Sequence, residues 1–377
     1  MSVPTKQETP TQSAVPDLLY SEIENEVRDG VRNVLDKRSS WPATLERIES
    51  DATVDSELWI SLARDVGLAG LAIAEDAGGA GASWREVAVV LEELGRHSAA
   101  VPFVGHVVTS TALLTAAGAS ESLELAATGD VVFAVALPAT TVPWQLPTTG
   151  ITVVDGRLSG SVRSVSDAVS ADVLLVLVGN DLHAVQASDA AVTPVVSLDM
   201  TRQLADIEFD SAPATLLASG ASAALEHALV VSAALLASEQ LGLAEEALRL
   251  TVDYLKERRQ FGRVLGSYQA IKHRLADLWV EITNARAVAR YAAACAAEGS
   301  DDLPVASSLA HSVCSRVAVK AAEECVQLHG GIGFTWEHPA HLLLKRAKSS
   351  SALFGGIDKH RERTGQLVDI TIETGQR

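Results

Sequence analysis

The segment from Leu225 to Phe261 constrains the fold more than any other. It is a long stretch of strong helix formers, rich in Ala and Leu. Up to Ser238 it is apolar nearly all round. A helix without a polar face must be covered on every side, so it has to run through the middle of a bundle. Two further long helical segments follow, Gln269 to Glu298 and Pro304 to His329, and an antiparallel helical bundle is expected. With several apolar faces in one bundle, neighbouring subunits are expected to cover whatever remains. The chain is long enough for this, at 377 residues with 47% hydrophobic side chains. Only 4% are aromatic, and the Ala, Val and Leu content suits closely packed helices.

Upstream, the pattern from about Leu18 to Ala127 is also helical. Leu19, Ile23, Val27, Val31 and Val34 recur at spacings of three and four, an amphipathic stripe. Ser56 is positioned to cap a helix, and Ser83 another that runs from Trp84 and is expected to stop at Gly95. From Gly129 to Pro213 the period changes. Val131 to Leu137, Ile151 to Val154, Val173 to Val178 and Ala184 to Gln186 are short β-branched or apolar runs separated by Gly, Asp, Pro, Thr and Ser. Asp155-Gly156 supplies the positive φ angles of a tight hairpin turn. The expected architecture is mainly α with a small antiparallel β domain in the middle and a four-helix bundle at the C-terminus. The expected divisions are a disordered leader over 1–16, a helical domain over 17–127, the β domain over 128–214 and the bundle over 215–377.

Charge and cysteine usage exclude several functions. A net charge of −18 repels phosphate backbones and anionic lipid surfaces, so neither nucleic acid nor a membrane is an expected partner. The longest apolar runs, such as Ala228 to Ala237, are short for a bilayer span. Cys295, Cys314 and Cys325 show no ligand spacing and read as reduced, buried thiols of a cytosolic protein, without a metal site. A chain this acidic that binds an anionic nucleotide must gather its basic residues locally.

One such gathering is Glu257-Arg258-Arg259-Gln260-Phe261-Gly262, followed by Tyr268-Gln269 and Leu275-Ala276-Asp277. Arginine presents a planar fork of donors suited to phosphate oxygens, and Gly262 is placed to end the long helix. A second motif is Gln327-Leu328-His329-Gly330-Gly331-Ile332-Gly333-Phe334, then Trp336-Glu337-His338-Pro339. Its glycines let a backbone approach a ligand closely and can form an anion-binding concavity; His329 reads as structural. These two motifs, and the run from Trp59 to Pro102, resemble the acyl-CoA dehydrogenase family over about residues 20 to 367. The resemblance implies FAD as cofactor and an acyl-CoA substrate, with an electron-transfer flavoprotein as acceptor. It implies that Arg258, Phe261, Gln269, Gln327, Gly330 and Gly331 contact the FAD of a neighbouring subunit.

The departures from the family are as informative. Where active members carry "TEPxAGSD", this chain has Pro138-Ala139-Thr140-Thr141. Where they carry a "W-I-T" triplet, it has Ser164-Val165-Ser166, which leaves Ser166 as the one hydroxyl able to face a flavin. Removing a weakly acidic α proton needs a carboxylate with a raised pKa. The two positions that supply it in the family fall here at Phe354 or Gly355 and at Ser232. No catalytic residue is therefore assigned; Glu226 and Asp358 are the acids that a relocated base would use. Residues serving a partner's flavin are kept, and those serving the chain's own are lost. This resembles the non-catalytic subunit of the heterotetrameric (α2β2) actinobacterial enzymes that shorten steroid side chains, in which a second acyl-CoA dehydrogenase subunit brings the base. Two alternatives follow from the same residues: a self-sufficient homotetramer with a relocated base, and a non-redox assembly protein on the same fold.

Overall fold

The structure, a computed structural model, describes residues 16–50 and 54–370. The leader expected over 1–16 lies, except for its last residue, outside the described residues. The first layer is helical: α1 (Glu22–Arg38), α2 (Trp41–Ile48), α3 (Ser56–Ile60), α4 (Trp84–His97), α5 (Thr111–Ala117) and α6 (Ser120–Thr128). Reciprocal capping boxes start α1 at Ser21 and Glu24 and α4 at Ser83 and Glu86. Two local expectations are corrected. The cap of α3 is Asp55, whose carboxylate accepts the Leu58 N–H at 3.0 Å, while Ser56 is already helical. Helix α4 does not stop at Gly95 but runs to His97 and ends at Ser98, at φ +46°.

Gly95 has another use. A β-carbon on it would lie 2.0 Å from the carbonyl oxygen of Glu239, and one on Gly242 would lie 1.8 Å from that of Glu92. The two helices cross there with backbone against backbone, which only glycine permits.

The middle layer holds eight strands: β1 (Phe133–Val135), β2 (Thr152–Val154), β3 (Arg157–Ser166), β4 (Val173–Val178), β5 (Asp181–Gln186), β6 (Ala191–Val195), β7 (Leu204–Pro213) and β8 (Thr215–Ser219). They form two four-stranded sheets, β1-β4-β5-β8 and β2-β3-β7-β6. Pairing is antiparallel throughout except β1 with β4, which is parallel. Asp155 and Gly156 make the turn between β2 and β3 with φ of +49° and +72°. The strands hardest to read in the sequence are β3, β6, β7 and β8. In β3, for example, apolar Leu158, Val162 and Val165 point inward while Arg157, Ser161 and Arg163 face outward, so the run is too polar to stand out.

The third layer is the bundle: α7 (Ser222–Glu257), a two-residue hairpin of β9 (Arg259–Gln260) and β10 (Arg263–Val264), α8 (Gln269–Glu298), α9 (Leu303–His329), α10 (Ala340–Ser350) and α11 (Ile357–Leu367). Every residue of α7 from Val231 to Ala244 is buried. Its cover comes from α4, α5, α8, α9 and α10 of the same chain, so no neighbouring subunit is needed for this face. At 36 residues α7 is longer than its apolar run suggested, long enough and apolar enough to cross a bilayer, yet 89% of that apolar window is buried inside the chain.

One ionic cluster ties the layers together. Glu239 on α7 accepts from Arg202 of the β layer at 2.6 Å and from Arg346 on α10 at 3.1 Å. Arg346 also donates to the carbonyls of Thr201 (3.0 Å) and of Ala99 in the first layer (3.2 Å). Burial alone would raise the Glu239 pKa; the two guanidiniums outweigh it and hold the carboxyl below its usual range. Removing one member of such a set strands the others uncompensated. Glu239→Gln is expected to lose about 3–5 kcal/mol of stability. Chemical denaturation of the variant checks this, and an unchanged midpoint would show that the cluster does not hold the layers.

Candidate functional site

Two regions have the makings of a site, and they lie at opposite ends of α7. Ser307 of α9 donates to the Val230 carbonyl near the start of α7, and Tyr254 near its end stacks on His329 with ring centres 4.5 Å apart. Helices α7 and α9 are therefore parallel, with α8 returning between them. The end of α7, the start of α8 and the end of α9 consequently share one end of the bundle, where Arg274 of α8 pairs with Glu324 of α9.

That end gathers Arg258, Phe261, Gln269, Gln327, Gly330 and Gly331. The helix stops at Glu257, not at Gly262 as the sequence suggested, because Arg258 turns to extended backbone (ψ 125°). The chain then forms the β9–β10 hairpin, with Phe261 at φ +51° and Gly262 at φ +81° as its two turn residues. Such a turn requires left-handed backbone at both positions, which is uncommon for a bulky side chain. Phe261 is nonetheless there and 90% exposed. Arg258, Arg259 and Arg263 have no carboxylate within 4 Å among the described residues, and Arg263 instead lies 3.7 Å over the Tyr268 ring. In a chain of charge −18, unpaired arginines are a local positive field.

Across from them, Gly330 ends α9 at φ +64°, and a β-carbon on Gly331 would meet nothing within 4 Å. The open space beside Gly331, the free guanidiniums and the uncommitted amide of exposed Gln327 fit an anionic diphosphate. His329 is structural, packed between Tyr254 and His338 and bound to the Cys325 carbonyl at 2.6 Å. Ile332, Phe334 and Trp336 are partly or largely exposed beside this end, as are Trp279 and Val280 on the outer face of α8.

The second region is a small pocket between the first two layers and α7. Val104, Gly105 and Thr109, on the π-helical stretch leading into α5, form one wall; Pro138, Ser166 and Phe354 form the other. Its free volume is about 40 Å³, enough for water and far too little for a flavin ring. Ser164 gives no ring platform either: it sits at φ +55° with its N–H bound to the Asp206 carboxylate at 2.8 Å. Both positions read as lacking a base converge here. Phe354 lines the pocket, and Ser232 bonds Thr109 at 2.9 Å and donates to the Ala228 carbonyl at 2.7 Å.

Neither relocated-base candidate reaches this pocket. Glu226 opens on a separate groove with Trp144 and Ser308, and the Asp358 side chain is 99% exposed, 3.7 Å from Arg361. The acid that does line it, Asp167, was not singled out in the sequence; its one signal is adjacency to Ser166. Its carboxylate accepts the Gly105 N–H at 2.9 Å, and burial raises its pKa despite Arg202 nearby. Leu229, which lines this pocket, stands near the start of α7, and Arg258 just past its end, roughly 40 Å along the helix axis. Ser166 is thus not brought together with the other six residues, and no single molecule the size of FAD touches both sets within one chain.

A helical layer, two small sheets and a helical bundle in this order are the architecture of the acyl-CoA dehydrogenase family. The profile of the acyl-CoA dehydrogenase N-terminal domain matches residues 21–123, and that of the C-terminal domain matches 218–367. The chain belongs to this family. It is 35% identical over 332 residues to the acyl-CoA dehydrogenase IpdE2 of Mycolicibacterium smegmatis, covering 87% of this chain and 93% of that one. Among solved structures, the Tcur3481–Tcur3483 steroid ACAD superposes with a TM-score of 0.82 at 31% identity, over 92% of this chain and 98% of that one. The ChsE4–ChsE5 complex of Mycobacterium tuberculosis gives 0.84 at 26%, over 95% and 100%.

The seams of the structure carry buried neutral histidines. His106 accepts the Phe133 N–H through Nδ1 and donates from Nε2 to the Ala126 carbonyl (3.1 and 3.2 Å), and burial lowers its pKa to about 4. His311 and His360, under the Phe354 loop, are pushed by burial to about 3 and about 4. The unfolded chain takes up these protons near about pH 6.5. Their contribution to stability is therefore complete above that value and lost as pH falls toward 4. Each adds a slope of up to about 1.4 kcal/mol per pH unit. Denaturation from about pH 6.5 down to 4.5 should show a steep loss, and His106→Asn should remove about one proton from the slope. A flat profile would contradict these assignments.

Proposed function

We propose that this chain is the base-free subunit of a cytoplasmic, heteromeric FAD-dependent acyl-CoA dehydrogenase. It lends the bundle end with Arg258, Phe261, Gln269, Gln327, Gly330 and Gly331 to the FAD of a second acyl-CoA dehydrogenase subunit. That partner supplies the carboxylate that takes the α proton, and its bound FAD supplies the acceptor for the hydride that leaves the β carbon. An α2β2 assembly, a bulky steroid-type acyl-CoA and an electron-transfer flavoprotein as acceptor complete the reading. The observation that carries it is the separation of the two regions: the arginine- and glycine-bearing motifs at one end of α7, a pocket of about 40 Å³ at the other. The solved relatives named as a two-component steroid ACAD and as a ChsE4–ChsE5 complex support the pairing. The exposed Phe261, Phe334, Trp336 and Trp279 give a partner apolar surface to bury.

Expressed alone, the chain should bind little FAD; co-expressed with a base-bearing family member from an adjacent reading frame, it should yield a complex with stoichiometric FAD. Arg258→Ala, removing one charged donor, should weaken FAD retention in that complex about tenfold or more. Full flavin content and turnover by the chain alone would overturn the reading.

One observation favours a second reading, a self-sufficient enzyme with a relocated base: Asp167 lines the pocket with a raised pKa. Its engagement with Gly105 and the lack of room speak against it. Asp167→Asn keeps an acceptor for Gly105 and so separates the two. Turnover of the assembled enzyme within about twofold fits the base-free reading, whereas a loss of about a hundredfold or more would make Asp167 the base.

A further inference from the structure

Phe354 is held in an unusual way. It sits at φ +58°, followed by Gly355 at φ +105°, in the loop between α10 and α11. A large side chain in left-handed backbone persists only where its surroundings over-determine it. Here three ties do so. The Phe354 N–H donates to the Ala139 carbonyl at 2.9 Å, which pins the loop to the segment after β1. His311 of α9 and His360 of α11 then take the next two backbone acceptors. Their Nε2 atoms lie 2.8 Å from the Leu353 oxygen and 3.1 Å from the Phe354 oxygen. A carbonyl only accepts, so both imidazoles carry a proton on Nε2 and donate it.

The two rings lie flat on each other, centres 4.0 Å apart and 12° from parallel, with Trp144 edge-on against His360 at 5.0 Å. Gly355 leaves no slack: a β-carbon there would stand 3.3 Å from Val142 and 3.6 Å from His360. The phenyl ring, 7% exposed, ends in the pocket wall opposite Thr109. An ordinary core phenylalanine needs none of this. Burial alone would be satisfied by a right-handed or extended residue, without a histidine on each of two consecutive carbonyls.

We propose that Leu353–Phe354 is a plug, locked by the stacked His311–His360 pair, that closes this chain's own pocket to solutes. The proposal does not rest on the base-free reading, because closure is a matter of access and not of chemistry.

The test is thiol access. Thr109→Cys places a near-isosteric thiol on the pocket wall; the native Cys295, Cys314 and Cys325 are all buried and serve as an internal standard for global unfolding. In the otherwise native full-length chain, the introduced thiol should react with methyl methanethiosulfonate as slowly as the native ones. Adding His360→Ala, or Phe354→Gly, which also relieves the left-handed strain, should speed its labelling about tenfold or more while the native thiols stay protected, as expected of a local opening. His360→Phe keeps the ring and drops the N–H, and should fall between. Rapid labelling of the introduced thiol in the native background would overturn the proposal by itself. So would equal, slow labelling in His360→Ala and Phe354→Gly chains whose native thiols remain protected.

Discussion

The carboxylate of Glu239 is the point on which the three layers meet. It lies fully buried in the middle of α7, and its partners come from the β layer through Arg202 and from α10 through Arg346, which reaches on to the first layer at Ala99. A carboxylate in that position is unfavourable by itself; with both guanidiniums in place it fixes how a helix, a sheet and a second helix sit around one point. The Gly95–Gly242 crossing brings α4 close enough for the Ala99 carbonyl to join. The packing is therefore set by a few polar and glycine positions inside an otherwise Ala- and Leu-rich interior, whose apolar surface would accept other arrangements.

From that anchoring follows the separation of the two candidate regions. Helix α7 is a straight spacer, and whatever is attached near its start cannot cooperate with whatever is attached past its end. In this chain the far end is open, carries unpaired arginines and is lined with exposed aromatic side chains, whereas the near end holds only a small pocket under Phe354 and the separate groove at Glu226.

The sequence was legible where a single periodic or motif signal dominates. The three long helices, the Ser83 capping box and the Asp155-Gly156 turn are set by local preferences. The two Arg- and Gly-bearing motifs drew attention through their long flanking match to the family, which the domain profiles bear out. It was less legible where tertiary contacts override a local rule. Gly95 looked like a helix stop and is a crossing point; Gly262 looked like the end of α7 and is the tip of a hairpin; Asp55 caps the helix that Ser56 was expected to cap. The half-solvated strands escaped notice because only every other residue needs to be apolar.

By itself, then, the sequence determined the family, the layer order, and which side chains stand at Ser232, Phe354, Arg258 and Gly330. These are statements about which side chains exist and in what order, and a linear pattern holds them. The tertiary structure alone decided that Ser166 and Arg258 stand at opposite ends of one helix, that Asp167 and not Glu226 or Asp358 borders the pocket, and that Phe354 lines it beside two stacked histidines. Distance, burial and occupied volume arise from contacts between residues far apart in the chain, and no local sequence signal encodes them.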